Sequence, residues 1–109
     1  MTPERGNPAD GADHREIDKL IHEPARMMVM AHLYVVDEAD FVFLIHHTGL
    51  TWGNLSTHLT KLENGGYVEA QKSFRGKKPR TTLRLTEKGR EAFAVYRRNM
   101  QQILDDSAQ

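Results

Sequence analysis

Two groups of side chains in this sequence could do chemistry, and neither is catalytic. The first lies in "LTWGNLSTHLTKLENGGYV", Leu50 to Val68, where Asn54, Thr57, Thr60 and Lys61 recur at helical spacing. On a helix these short donors and acceptors share one side, with Gly53 beside them and Ser56 and His58 on the flanks. Such a set suits hydrogen bonding to base edges: asparagine matches adenine, and threonine bonds or touches a thymine methyl. The second is "KSFRGKKPR", Lys72 to Arg80, with five basic residues and no acid. It suits phosphate.

Other constellations are weaker. No nucleophile–base pair, phosphate-binding loop or paired carboxylates stand out, so the chain does not read as an enzyme. "DEAD" at Asp37 to Asp40 occurs without a phosphate loop and is no helicase signal. His46 and His47 are adjacent, so on a helix they point about 100° apart and chelate poorly together. No metal site and no cofactor are expected. Met27, Met28 and Met30 read as ordinary core rather than a ligand pocket. Trp52 either packs on a neighbouring element or lies over a sugar-phosphate; packing is preferred.

The whole-chain properties agree with a binding protein. The 109 residues favour one domain. Lysine plus arginine equals aspartate plus glutamate at 15 each, so net charge argues against a generic polyanion binder. The basic segment nevertheless gives the chain a sided field. There is no cysteine, which removes disulfides, thiolate zinc sites and cysteine redox sensing. No apolar run approaches the roughly 18 residues of a membrane span. No secretory signal is visible. A cytoplasmic protein without membrane contact is expected.

The elements that must position these groups follow from caps and periodicity. Residues 1–15 hold two prolines and two glycines and read as a disordered arm. Glu16 to Ile21 predicts a short helix. Pro24 suits the first turn of a helix running to about Val36, with Val29, Met30, Leu33 and Val36 as its core stripe. The acidic link precedes a second helix, about Ala39 to His47, with Phe41, Leu44 and Ile45 inward. Thr48-Gly49-Leu50 is a turn, and Thr51 caps the third helix, which buries Leu55, Leu59 and Leu62. Gly65-Gly66 ends it, the first expected left-handed. From Tyr67 the period becomes two: Tyr67–Phe74 and Thr81–Leu85 predict strands around the turn "RGKKP". Thr86 caps a last helix, on which Phe93, Tyr96, Met100 and Ile103 form a seam. That seam is longer than a three-helix core can cover. It predicts a dimer, with Ile17, Leu20 and Ile21 joining across a two-fold axis.

The predicted fold is α+β and mostly α: a winged helix-turn-helix with a three-helix core, a β-hairpin wing and a C-terminal helix. The domain is expected over residues 16–104, ending in the dimerisation helix, with 105–109 a disordered tail. The third helix, about 51–64, would enter a major groove, and the wing, 72–80, would lie on the backbone or in the neighbouring minor groove.

The block "LTWGNLSTHLTKLENGGYVEAQKSFRGKKPRTTLRLTEKGREAF", with "HEPARMMVMAHL" before it, resembles small stand-alone winged-helix transcription regulators similar to the MarR and ArsR groups. The resemblance covers about Ile17 to Met100. It implies a homodimer on a near-palindromic duplex. It implies DNA contacts at Thr51, Asn54, Ser56, Thr57, His58 and Lys61, and at the wing residues Arg75, Lys77, Lys78 and Arg80. The chain departs from metal-sensing ArsR relatives, lacking cysteine and any histidine after His58. It is shorter than typical MarR proteins. No effector ligand is named by the sequence. The rival reading is a winged-helix protein–protein interaction module, against which the basic wing speaks.

Overall fold

The computed structural model describes residues 16–107, so the expected arm at 1–15 lies outside the described residues. The element order is α1 (Pro24–Val35), β1 (Ala39–Asp40), α2 (Phe41–Thr48), α3 (Trp52–Asn64), β2 (Val68–Arg75), β3 (Lys78–Leu85) and α4 (Glu87–Ser107). The sheet is antiparallel in the order β1-β3-β2. This is the winged helix-turn-helix arrangement.

Residues 16–23 form a turn instead of the expected short helix. The cause is Asp18: its Oδ1 accepts the amides of Leu20 at 2.9 Å and Ile21 at 3.2 Å. A side-chain acceptor so close offers the backbone an alternative to the helical ladder. The turn drops Ile21 into the core, fully buried. In α1, Glu23 caps the helix by accepting the Arg26 amide at 2.9 Å, and Pro24 occupies the first turn. The inner face is Ala25, Val29, Met30 and Leu33; Val36 is the extended C-cap and only partly buried.

β1 was not expected. Ala39 and Asp40 pair with Leu83 and Thr82 of β3, and two residues are too few to show a period of two. Asp40 then caps α2 through the Phe43 amide at 2.8 Å. Gly49, at φ 75°, ends α2 in the left-handed region and turns the chain into α3. At the end of α3 the expected roles of the glycines are exchanged. Gly65 stays right-handed at φ −79°, and Gly66, at φ 83°, makes the reversal.

The hairpin is longer and its turn tighter than the sequence suggested. β3 begins at Lys78, and the pairing runs from Val68↔Leu85 to Arg75↔Lys78. Only Gly76 and Lys77 form the turn, with Gly76 at φ 64°. Glycine with positive φ at the first position is what a two-residue type II′ hairpin turn uses.

α4 is capped by Thr86, whose Oγ1 accepts the Gly89 amide at 2.9 Å and donates to the Gly66 carbonyl at 2.6 Å. Gly89 is buried where the helix crosses Tyr67; a Cβ there would sit 2.1 Å from the Tyr67 carbonyl oxygen. The helix continues through Ser107, three residues past the expected domain end at 104. Val29, Met30, Leu33, Leu44, Leu55, Leu62 and Leu83 join Ile21 in one core that fixes α3 against the other helices and the root of the hairpin.

Candidate nucleic-acid interface

The geometry of α3 follows from its leucines. Leu55, Leu59 and Leu62 are buried, so the opposite side is held toward solvent. Burying three leucines stabilises this orientation by about 1.5–3 kcal/mol each. Thr51 caps the helix, its Oγ1 accepting the Asn54 amide at 3.1 Å. Asn54, Ser56, Thr57, Thr60 and Lys61 are all exposed.

Hydrogen bonding sets what each presents. The Thr57 hydroxyl donates to the Gly53 carbonyl at 3.0 Å, and that of Thr60 to the Ser56 carbonyl at 3.0 Å. Their protons are committed to the helix, leaving outward a methyl group and acceptor lone pairs. The outward donors on this face are therefore the Asn54 amide, the Ser56 hydroxyl and the Lys61 ammonium. Gly53 has open space where a Cβ would lie.

His58 is not part of this face. Its side chain is 19% exposed, with Nδ1 3.3 Å from Arg26 Nη1 and 3.8 Å from Glu23 Oε1. The helical spacing that put it on the flank turns it toward α1. Arg26 is itself anchored, its Nε donating to the Leu20 carbonyl at 2.5 Å. The amide hydrogen bond from Arg26 holds the Glu23 carboxyl below the usual carboxylate range, helped by His58. Trp52 packs as preferred: it stacks on Phe41, ring centroids 5.1 Å apart and planes 9° apart, while remaining more than half exposed. The stack joins the N-termini of α2 and α3.

On the wing, Arg75, Lys77 and Lys78 are exposed at the tip. Arg80 is turned inward: its Nη2 lies 3.6 Å from Asp40 Oδ2, and the pair is about one-third exposed on each side. Sequence reasoning grouped Arg80 with the tip cations because β1, which supplies Asp40, gave no signal. Farther down, Arg84 is 3.3 Å from Glu69. The hairpin thus pairs Arg80 and Arg84 with acids and leaves Lys72, Arg75, Lys77 and Lys78 without an ion-pair partner among the described residues.

The seam on α4 divides. Phe93 and Tyr96 are buried within the protomer: Phe93 lies against Tyr34, ring centroids 5.2 Å apart, and the Tyr96 hydroxyl is 2.9 Å from His22 Nδ1. Ile21 is equally committed to this core. Ile17, Leu20 and Met100 are partly buried against it. Ile103 remains partly open, and Leu104, which the heptad reading missed, is mostly exposed. Below α3, the Tyr67 hydroxyl donates to the Asp18 carboxylate, and burial followed by that bond pushes its pKa up to about 12.

Among the described residues no helix is long and apolar enough to cross a membrane, and no group of three or more histidine, cysteine or acidic side chains is placed to hold a metal. Residues 25–104 match the model of a family described as winged helix DNA-binding domain. The chain is 38% identical over 78 residues to the uncharacterized protein MJ0432 of Methanocaldococcus jannaschii, covering 72% of this chain and 85% of that one. A transcriptional regulator homologue from Pyrococcus horikoshii OT3 is similar in structure, with a TM-score of 0.80 at 25% identity over 89% of this chain and 95% of that one. A MarR-family transcriptional regulator from Silicibacter pomeroyi has a TM-score of 0.63 at 22% identity, over 83% of this chain and 60% of that one. At that identity the similarity is one of fold.

Proposed function

Because the chain belongs to the winged helix DNA-binding domain family, we propose that it is a transcription regulator that binds duplex DNA sequence-specifically as a homodimer. One juxtaposition carries the reading. A helix with its apolar side buried holds out Asn54, Ser56, Thr57 and Lys61, beside a hairpin whose tip holds out Arg75, Lys77 and Lys78. In this reading α3 enters the major groove with its N-terminal turn leading, and Thr51 and the free amides there face a phosphate. The wing cations take neighbouring phosphates and supply most of the salt-dependent affinity. His58 and Arg80, engaged by Glu23 with Arg26 and by Asp40, drop out of the direct contacts.

The dimer rests on the far half of α4. With Phe93, Tyr96 and Ile21 occupied inside the protomer, the apolar surface left for a partner on the far half of α4 is Met100, Ile103 and Leu104. The turn before α1, which carries the partly buried Ile17 and Leu20, is joined to α4 where Asn99 Nδ2 donates to the Glu16 carbonyl at 3.1 Å. Two copies about a two-fold axis would present two α3 helices to the two halves of a near-palindromic site. No catalytic role is assigned, and the reading carries a cytoplasmic location with it.

Selection from a pool of random duplexes should enrich one near-palindromic motif. Sedimentation at micromolar concentration should give twice the chain mass. A monomer that holds one palindromic site tightly would contradict the dimer. Absence of both enrichment and retardation at low salt would favour the protein-interaction reading.

A further inference from the structure

We propose that the wing carries an apolar wedge, Phe74 backed by Pro79, that enters the minor groove of the bound duplex and parts a base step; this rests on the DNA-binding reading above. Phe74 is 74% exposed, among the most exposed large apolar side chains of the described residues. It pairs with Pro79, one step behind the Arg75↔Lys78 pair and the Gly76-Lys77 turn.

The pleat sorts the hairpin into two faces. Val68, Leu83 and Leu85 are buried on one face at the root, and Lys72, Phe74, Pro79 and Thr81 follow on that same face toward the tip. From Leu83 to Pro79 is four residues, about 13 Å of strand, which carries Phe74 and Pro79 beyond the core. The opposite face ends in Arg75 and Lys78, and Lys77 stands on the turn. The tip is therefore a blade with an apolar side and a cationic side.

An exposed phenylalanine alone would be unremarkable surface. Its surroundings choose its partner. Lys72, Arg75, Lys77 and Lys78 form no ion pair with another described residue, and the segment from Lys72 to Arg80 contains no acid. A second protein surface would have to be acidic and apolar together, whereas the minor groove offers phosphate walls and, once a step is parted, apolar base faces. Inserted apolar side chains part base steps and kink the duplex, and pyrimidine–purine steps part most readily. The ring adds affinity that releases no counterion, so its effect separates from that of the lysines.

The test uses the full chain and an alternating thymine–adenine duplex of about 24 base pairs carrying 2-aminopurine, whose fluorescence rises on unstacking. Wild-type binding should raise the fluorescence. Phe74→Ala should bind about tenfold more weakly, with an unchanged salt slope and no rise. Phe74→Leu keeps an apolar side chain opposite Pro79 and should retain part of the rise, which separates a wedge from a fold defect. Lys77→Ala with Lys78→Ala should lower the salt slope and keep the rise. Wild-type binding without a rise, or a Phe74→Ala variant equal to wild type, overturns the wedge and leaves DNA binding intact. Failure of the wild type to bind any duplex at low salt overturns both.

Discussion

One carboxylate of Asp40 serves two elements: its Oδ1 accepts the Phe43 amide at 2.8 Å to close α2, and its Oδ2 lies 3.6 Å from Arg80 Nη2 on β3. The outer part of the wing, at the third pair from its tip, is thereby tied to the start of the helix that precedes α3. Asp40→Asn keeps an oxygen for the cap and removes the charge. Partly exposed ion pairs contribute little, so its stability should stay within about 1 kcal/mol of wild type. Asp40→Ala loses the cap as well and should cost about 0.5–2 kcal/mol. Urea denaturation of both variants compares them; equal losses would show that the ion pair, not the cap, dominates.

Two glycines should respond oppositely to alanine. Replacing a helical glycine by alanine gains up to about 1 kcal/mol in propensity. At Gly89 the new Cβ would lie 2.1 Å from the Tyr67 carbonyl oxygen, a backbone atom, and overpacking of about 1–3 kcal/mol outweighs the gain. At Gly53 nothing lies within 4 Å, so Gly53→Ala should raise stability by about 0.5–1 kcal/mol. If DNA backbone approaches Gly53, that same variant should bind duplex more weakly. Thermal denaturation and a binding titration measure the two effects; a Gly53→Ala variant that gains stability with unaltered affinity would remove the close approach.

Tyr67 gives the fold an alkaline limit. Its pKa is raised from 10.0 to about 12 by burial and by donation to Asp18. A folded-state pKa above the unfolded one means the contribution is complete below pH 10 and is lost as pH rises toward 12. Tyr67→Phe lacks this ionisation, so its stability should decline less than that of wild type between about pH 9 and about pH 11.5. Parallel declines in urea midpoints would show that Tyr67 ionises no differently on unfolding.

The legible parts of the sequence were those with a repeating signal. The Thr51 cap, the leucines of α3 and the change of period at Tyr67 each imply a local structure without help from the rest of the chain. What escaped depended on distant partners or on a single residue. β1 is two residues long and exists because β3 pairs with it. Arg80 looked like a tip cation because its partner Asp40 is far away in sequence. Asp18 replaced a helix by a turn through one side chain. The α4 seam showed that Phe93 and Tyr96 would be buried, but periodicity does not say against what, and the answer is the same protomer. At Gly65-Gly66 the helix ends at Asn64 as expected, but the reversal falls on Gly66, because Gly65 continues the right-handed turn as the C-cap.

The central claim is a division of labour, with α3 choosing the sequence and the wing supplying charge. It is tested most directly by titrating Asn54→Ala, Thr57→Ala, Lys77→Ala and Lys78→Ala against the selected site and a random duplex across a salt series. Asn54 and Thr57 should each cost about 1–3 kcal/mol on the selected site and less on random DNA, with the salt slope unchanged. Each lysine change should weaken both duplexes alike and lower the salt slope by about one. The account is contradicted if the lysine changes alter base preference while the α3 changes only shift the salt slope.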